Sequence, residues 1–368
     1  MRVCIALVLI SATVAAGEPL TGMIYALCTN GSTNELNFIA ANLLTFEIAP
    51  RGGPLGPGRE TIGQAAAFDA STGIYWQMLY EFDPRPDAFV LAGFNVSSGS
   101  LTYRWDTKNL YKGGSGKPLL LEEIFVTTVS KGVGQLLVVG RELGQPGQVF
   151  LDVASLAGTA TLRGVVNVSG ADMAFDEANN VVYESVSDGN DEDSGSFVIV
   201  SLSPPKVERS FALENHFGFA TFDPKTEQVF GLTLQAGGPN GYMRNVTALK
   251  PQASGYSAVS HGDLGDLFVV LEDGPKAFDA STRRAFYMLG KLRKSNPQYP
   301  PTHPPSSNPV THFPGPWVHL STASGPFAEF EIVSVDVDEV PVKPIETVGL
   351  CGFVGYCPDA FAFSATAS

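Results

Sequence analysis

The residues best equipped to hold an ion cluster in the run Asp188-Gly189-Asn190-Asp191-Glu192-Asp193. Closely spaced oxygen-bearing side chains can wrap a calcium ion, which takes roughly six to eight oxygens. Asp188, Asn190 and Glu192 are the candidate ligands. The run lacks the glycine and the closing glutamate of an EF-hand, so a solvated turn between strands is the competing reading. Five histidines are present. None stands in a His-Glu-x-x-His or His-x-His arrangement, so zinc has no local motif. His261, in Ser260-His261-Gly262-Asp263, invites comparison with a hydrolytic triad. A triad is a spatial arrangement, however, and no Gly-x-Ser-x-Gly elbow accompanies it. Gly113-Gly114-Ser115-Gly116-Lys117 is a glycine-rich turn without the remaining elements of a phosphate-binding loop. No cofactor is predicted, with calcium as the one ion to test.

The elements that would position such residues come from an internal repeat. Phe68-Asp69, Phe175-Asp176, Phe222-Asp223 and Phe278-Asp279 are each followed by Thr or Asn four residues after the Phe. An aromatic residue stands eight after it: Trp76, Tyr183, Phe230 and Phe286. This pattern predicts a β-hairpin. The Phe ends one strand, the Asp side chain accepts from backbone N–H groups of the turn, and the second aromatic enters the return strand on the core side. The step from Phe68 to Phe175 is about twice the later steps, so a degenerate copy is expected between them. Val129 and Leu137 are assigned to it. Gly22–Leu27 reads as a sixth return strand. Further strands are read at Ala41–Ile48, Ala88–Phe94, Ser196–Ser201, Trp317–Leu320 and Ala328–Val335, and no amphipathic helix of three turns is apparent.

A unit of roughly fifty residues holding several short strands resembles a propeller blade. The fold class is therefore all-β: a β-propeller with six blades favoured and seven possible, closed by N- and C-terminal strands. The strand missing before Tyr25 is expected from within 345–363. Residues 17–363 form one domain, with a proline-rich loop at 295–316 and a tail at 364–368. The repeat is similar to those of six-bladed SMP-30 and paraoxonase-like lactonases and of seven-bladed YncE-like propellers. The lactonase resemblance implies oxygen ligands for calcium just before the Phe-Asp pairs. Those positions read Ala65-Ala66-Ala67, Asp172-Met173-Ala174, Gly218-Phe219-Ala220-Thr221 and Pro275-Lys276-Ala277, and only Asp172 offers a hard oxygen ligand.

The N-terminus places Arg2 before a short apolar run and small residues up to Ala16. This is the pattern of a secretory signal peptide over residues 1–16, cut after Ala16. No later stretch reaches the roughly 18 apolar residues of a membrane helix. Sequons at Asn30, Asn95, Asn167 and Asn245 are expected to carry sugar in a secreted protein. Cys4 leaves with the signal; of Cys28, Cys351 and Cys357, two can pair. Either Cys28 ties the chain ends together or Cys351 and Cys357 close a local loop. The net charge of −14 disfavours nucleic acid as a partner. The reading favoured is a secreted, glycosylated binding or scaffold module for an extracellular protein, glycan or small ligand. A metal-dependent hydrolase or lactonase and a calcium-binding matrix protein are the alternatives.

Overall fold

The computed structural model describes residues 22–29, 33, 35–45, 47–82, 84–112, 116–127, 133–168, 170, 172–187, 195–234, 243–252, 254–264, 267–268, 276–292, 327–341, 345–348 and 361–364. They form six small antiparallel sheets. The first blade holds β1 (Met23–Thr29), β2 (Leu36–Asn42) and β3 (Ile48–Pro50), and the second β4 (Arg59–Asp69), β5 (Ile74–Glu81), β6 (Ala88–Asn95) and β7 (Leu101–Asp106). After a single helical turn, α1 (Thr107–Leu110), come β8 (Leu119–Val126), β9 (Gln135–Glu142), β10 (Gln148–Ala154) and β11 (Thr159–Val166). The fourth blade is β12 (Asp172–Asp176), β13 (Val181–Ser187), β14 (Gly195–Leu202) and β15 (Pro205–Leu213); the fifth is β16 (Phe217–Asp223), β17 (Gln228–Leu234), β18 (Met243–Gln252) and β19 (Gly255–Asp263). The sixth holds β20 (Leu267–Phe268), β21 (Lys276–Asp279), β22 (Arg284–Leu292), β23 (Phe327–Asp336) and β24 (Ile345–Val348).

The last strand, β25 (Phe361–Ser364), pairs with β1 of the first blade, Ala26 opposite Phe361 and Met23 opposite Ser364. It supplies the innermost strand that the first blade lacks, as the sequence required. The fold is a six-bladed propeller closed by its two ends.

The Phe-Asp hairpins form as expected. Asp69 Oδ1 accepts from the Ser71 N–H at 2.9 Å, Asp223 Oδ1 from Lys225 at 3.0 Å, and Asp279 Oδ1 from Ser281 at 2.9 Å. In the fourth blade Asp176 Oδ1 accepts from Asn179 at 3.1 Å. The residue closing each turn is left-handed: Gly73, Asn180, Glu227 and Arg283 have φ between 55° and 66°. These aspartates are more deeply buried than the phenylalanines before them, so the carboxylates are part of the fold rather than surface charges.

Two strand assignments shift. The expected strand at Ala41–Ile48 is split, because Asn42 Oδ1 accepts from the backbone of Leu44 and Thr45 and turns the chain. In the third blade Gly134 takes the left-handed turn position, and Thr127 donates its N–H to Gln135 O at 3.0 Å. Leu137 therefore matches Trp76, but the turn is three residues longer than in the other blades. Val126, not Val129, stands in the Phe place, and Thr127 in the Asp place. Val129, Trp317–Leu320 and the loop 295–316 lie outside the described residues. The chain on either side of that loop is β22 and β23, neighbours in one sheet.

The core lies between blades rather than in one centre. Tyr25 and Phe38 of the first blade pack with Tyr75 and Phe94 of the second. Trp76, two-fold alternation having turned it to the other face of β5, packs with Leu121, Val138 and Leu151 of the third. The same arrangement repeats onward to the sixth blade.

Candidate functional site

The innermost strands β25, β4, β8, β12, β16 and β20–β21 surround the central channel. Several are irregular: register breaks fall between Thr61 and Ala66, Leu121 and Glu123, and Gly218 and Thr221. A bulge re-aims side chains. At the second of these, the consecutive Glu122 and Glu123 engage different partners.

Glu123 reaches Lys276, whose blade is three steps away around the ring in either direction. Lys276 Nζ lies 2.8 Å from Glu123 Oε1 and 2.7 Å from Asp172 Oδ1, and donates to Met173 O at 3.1 Å. Asp172 Oδ2 accepts the backbone N–H of Phe219 at 2.9 Å. Phe219 is a buried non-glycine residue at φ 59°, a strained conformation that the aspartate helps to hold. One carboxylate thus joins the fourth blade to the fifth and sixth, and the lysine adds the third. Burial alone would lower the Lys276 pKa, but Asp172 and Glu123 hold the ammonium protonated, above the usual lysine range. Burial pushes Glu123 up to about 7 against the opposing pull of Lys276.

Glu122 turns instead toward its own blade. Arg141 Nη2 lies 2.7 Å from Glu122 Oε1, and Gln148 Nε2 donates to Glu122 Oε2 at 3.0 Å and to Gly170 O at 3.2 Å. Beside them stands Glu184 of β13, fully buried, with neither carboxylate oxygen in hydrogen-bonding geometry. Burial and the negative charge of Glu122 raise its pKa to about 8; the nearby Gln148 amide and Arg141 offset this only in part.

Of the sequence-selected residues, Asp172 lies in the channel with both oxygens engaged by protein donors. Asp188, Asn190 and Glu192 lie outside the described residues. Among the described residues no three His, Cys, Asp or Glu side chains gather into a metal-binding group. His261, on β19, packs edge-on against Phe230 at 5.2 Å, and burial lowers its pKa. Asn95 and Asn245 are half-buried and Asn167 is exposed; Asn30 lies outside the described residues. Cys28 is buried in β1, and Cys351 and Cys357 lie outside the described residues.

Glu123 went unrecognised because the third hairpin was set three residues late. With Thr127 in the Asp place, Glu123 is the counterpart of Asp172: it stands four residues before that position, as Asp172 does before Asp176. Lys276 was in view but carries no oxygen. Glu184, Gln148 and Arg141 had no local signal, since three blade-forming strands bring them together.

No protein-family profile matches the chain, and no curated protein matches it in sequence. Solved structures do match in shape. TolB from Acinetobacter baumannii superposes with a TM-score of 0.51 at 10% identity, covering 93% of this chain and 66% of that one, so the chain spans slightly under two thirds of TolB. A functionally unknown protein from Desulfotomaculum acetoxidans DSM 771 gives 0.51 at 11% identity, with 94% and 100% covered. A putative 6-phosphogluconolactonase from Bacteroides fragilis NCTC 9343 is similar at 0.48 and 10% identity, with 95% and 99% covered. At these identities the two matches at 0.51 bear on fold alone, and they agree with the sheet topology: the chain is a six-bladed β-propeller.

Proposed function

We propose that the chain is a secreted, glycosylated propeller that acts as a binding or scaffold module for an extracellular protein, glycan or small ligand. The observation that carries this reading is the occupied centre of the channel. Lys276, Glu123, Asp172 and the Phe219 N–H satisfy one another and tie four blades together. A carboxylate that is to hold a catalytic metal or take up a proton needs a free oxygen. Asp172 has spent both on the fifth and sixth blades, which favours a structural centre. Loops at the two faces of a rigid ring are then the surfaces left for recognition. The exposed Asn167, between β11 and β12, suits a glycan-bearing position.

The disulfide belongs to the same reading. In sequence, Cys28 lies two residues beyond Ala26 and Cys357 four residues before Phe361, the two residues that end the closing pair. A bridge between these two thiols would lock the closing strand. It would add on the order of 2–4 kcal/mol by restricting the unfolded chain.

The full chain, expressed in eukaryotic cells, should appear in the medium with Gly17 at its amino terminus. Endoglycosidase should reduce its mass, and Asn167→Gln should remove one glycan. Non-reducing peptide mapping should join the Cys28 peptide to that of Cys357. Retention in the cytosol without sugar would overturn the secreted reading. Turnover of a lactone or ester panel that is abolished by Asp172→Asn would replace the binding module with a hydrolase.

A further inference from the structure

We propose that a single hard divalent cation binds between the third and fourth blades, held by the carboxylates of Glu184 and Glu122, Gln148 Oε1 and the Gly170 carbonyl.

The first observation is an imbalance of acceptors. Both oxygens of Glu184 and the Oε1 of Gln148 lack hydrogen-bond partners, and both residues are 0% exposed. With Glu184 ionised all three atoms are acceptors only, so what they lack is a donor or a cation. An unsatisfied carboxylate inside a protein is costly, by several kcal/mol at least. The second observation is charge. Arg141 Nη2 is committed to Glu122 at 2.7 Å, and its charge offsets that of Glu184 only in part. The third is space. A Cβ placed on Gly170 would come within 2.9 Å of Glu184 Oε2, so the Gly170 backbone lies directly against the carboxylate. A bare metal ion needs only about 2.3–2.6 Å from its oxygens, the least room of any counter-charge. The donors are carboxylate, amide and backbone oxygens, the set favoured by calcium and magnesium over softer metals. Glu122, whose side chain is 17% exposed, leaves a route from solvent.

This site is separate from the acidic run at Asp188–Glu192 and from the Lys276 network, and it does not depend on the binding-module reading. It adds to the channel lock a second tie between blades, one that responds to metal concentration.

The test uses the full chain, stripped with EDTA, desalted, and returned to calcium or magnesium chloride. Metal analysis after desalting should find close to one equivalent, with a rise in melting temperature of roughly 2–5 °C at saturation. Glu184→Gln should fold, since it replaces a buried ionisable group with a neutral one of the same shape, and should lose both the equivalent and the shift. Gln148→Met, which keeps the charge, should weaken binding. The double variant Asp188→Asn/Glu192→Gln should retain the response. Absence of bound metal and of any shift in the wild-type chain would overturn the proposal, as would binding that survives Glu184→Gln or vanishes in the double variant.

Discussion

Glu184 and Lys276 present opposite solutions to a charge removed from water. Lys276 is compensated twice over, by Asp172 and Glu123. Removing it leaves two carboxylates buried against each other, which is far more costly than losing an exposed pair. Lys276→Met should cost about 3–5 kcal/mol, read as a fall in melting temperature of about 5–10 °C. A small change there would mean that water reaches the channel and screens the network. Glu184 is compensated only in part, and its pKa in the folded chain is raised to about 8 by burial. The folded state therefore holds a proton that the unfolded state has released once pH exceeds about 4.5. Between that point and pH 8 the unfolded chain binds fewer protons, so stability must fall as pH rises. In EDTA-treated protein the melting temperature should decline across this window. Glu184→Gln should flatten the decline and melt higher at pH 8. An unchanged pH profile in the variant would show that Glu184 finds a partner in solution.

The Phe-Asp hairpin is the repeating element, and its aspartates are not equivalent. Asp69 holds only its own turn, through the Ser71 N–H and the Thr72 hydroxyl at 2.8 Å. Asp223 holds its turn and also receives Arg283 from the next blade at 2.6 Å, while Arg283 bonds Asp338 at 2.8 Å. Asp69→Ala should thus cost about 1–2 kcal/mol and Asp223→Ala about 3–4 kcal/mol, because the second leaves a buried guanidinium short of a partner. Urea titrations of the two variants compare them directly, and equal losses would mean that the inter-blade pair contributes nothing. The hairpin also explains what was legible at this scale. Its Asp, its left-handed turn residue and its paired aromatics are local requirements, so four copies could be read from residue types and spacing. In the third blade Thr127 replaces the Asp and the turn is longer. The local signal weakened there, and the assignment slipped by three residues.

Closure is a property of the whole ring. β25 pairs with β1, and its removal would expose the backbone edge of Met23–Ala26 and open the joint between the first and last blades. Exposed strand edges recruit other chains. Deleting residues 361–368 should broaden the melting transition and produce oligomers by light scattering; a monodisperse, cooperative truncation would show that the ring does not need its closing strand. Closure of this kind couples the blades, so a defect in one should propagate through the packed interfaces on either side of it.

The chain's order of apolar, aromatic and turn-forming residues determined the all-β class, the hairpins, the blade length and the need for a closing strand. Each of these follows from backbone preferences over a few residues, repeated often enough to be recognised. The tertiary structure alone decided the contents of the channel. Lys276 meets Glu123 and Asp172 across the ring, and Glu184 meets Glu122, Gln148 and Gly170 across a blade boundary. Those contacts depend on how many blades there are, which residue of each inner strand faces inward and where the bulges fall. A bulge of one residue redirects every side chain beside it, and no local pattern records where such a bulge will sit.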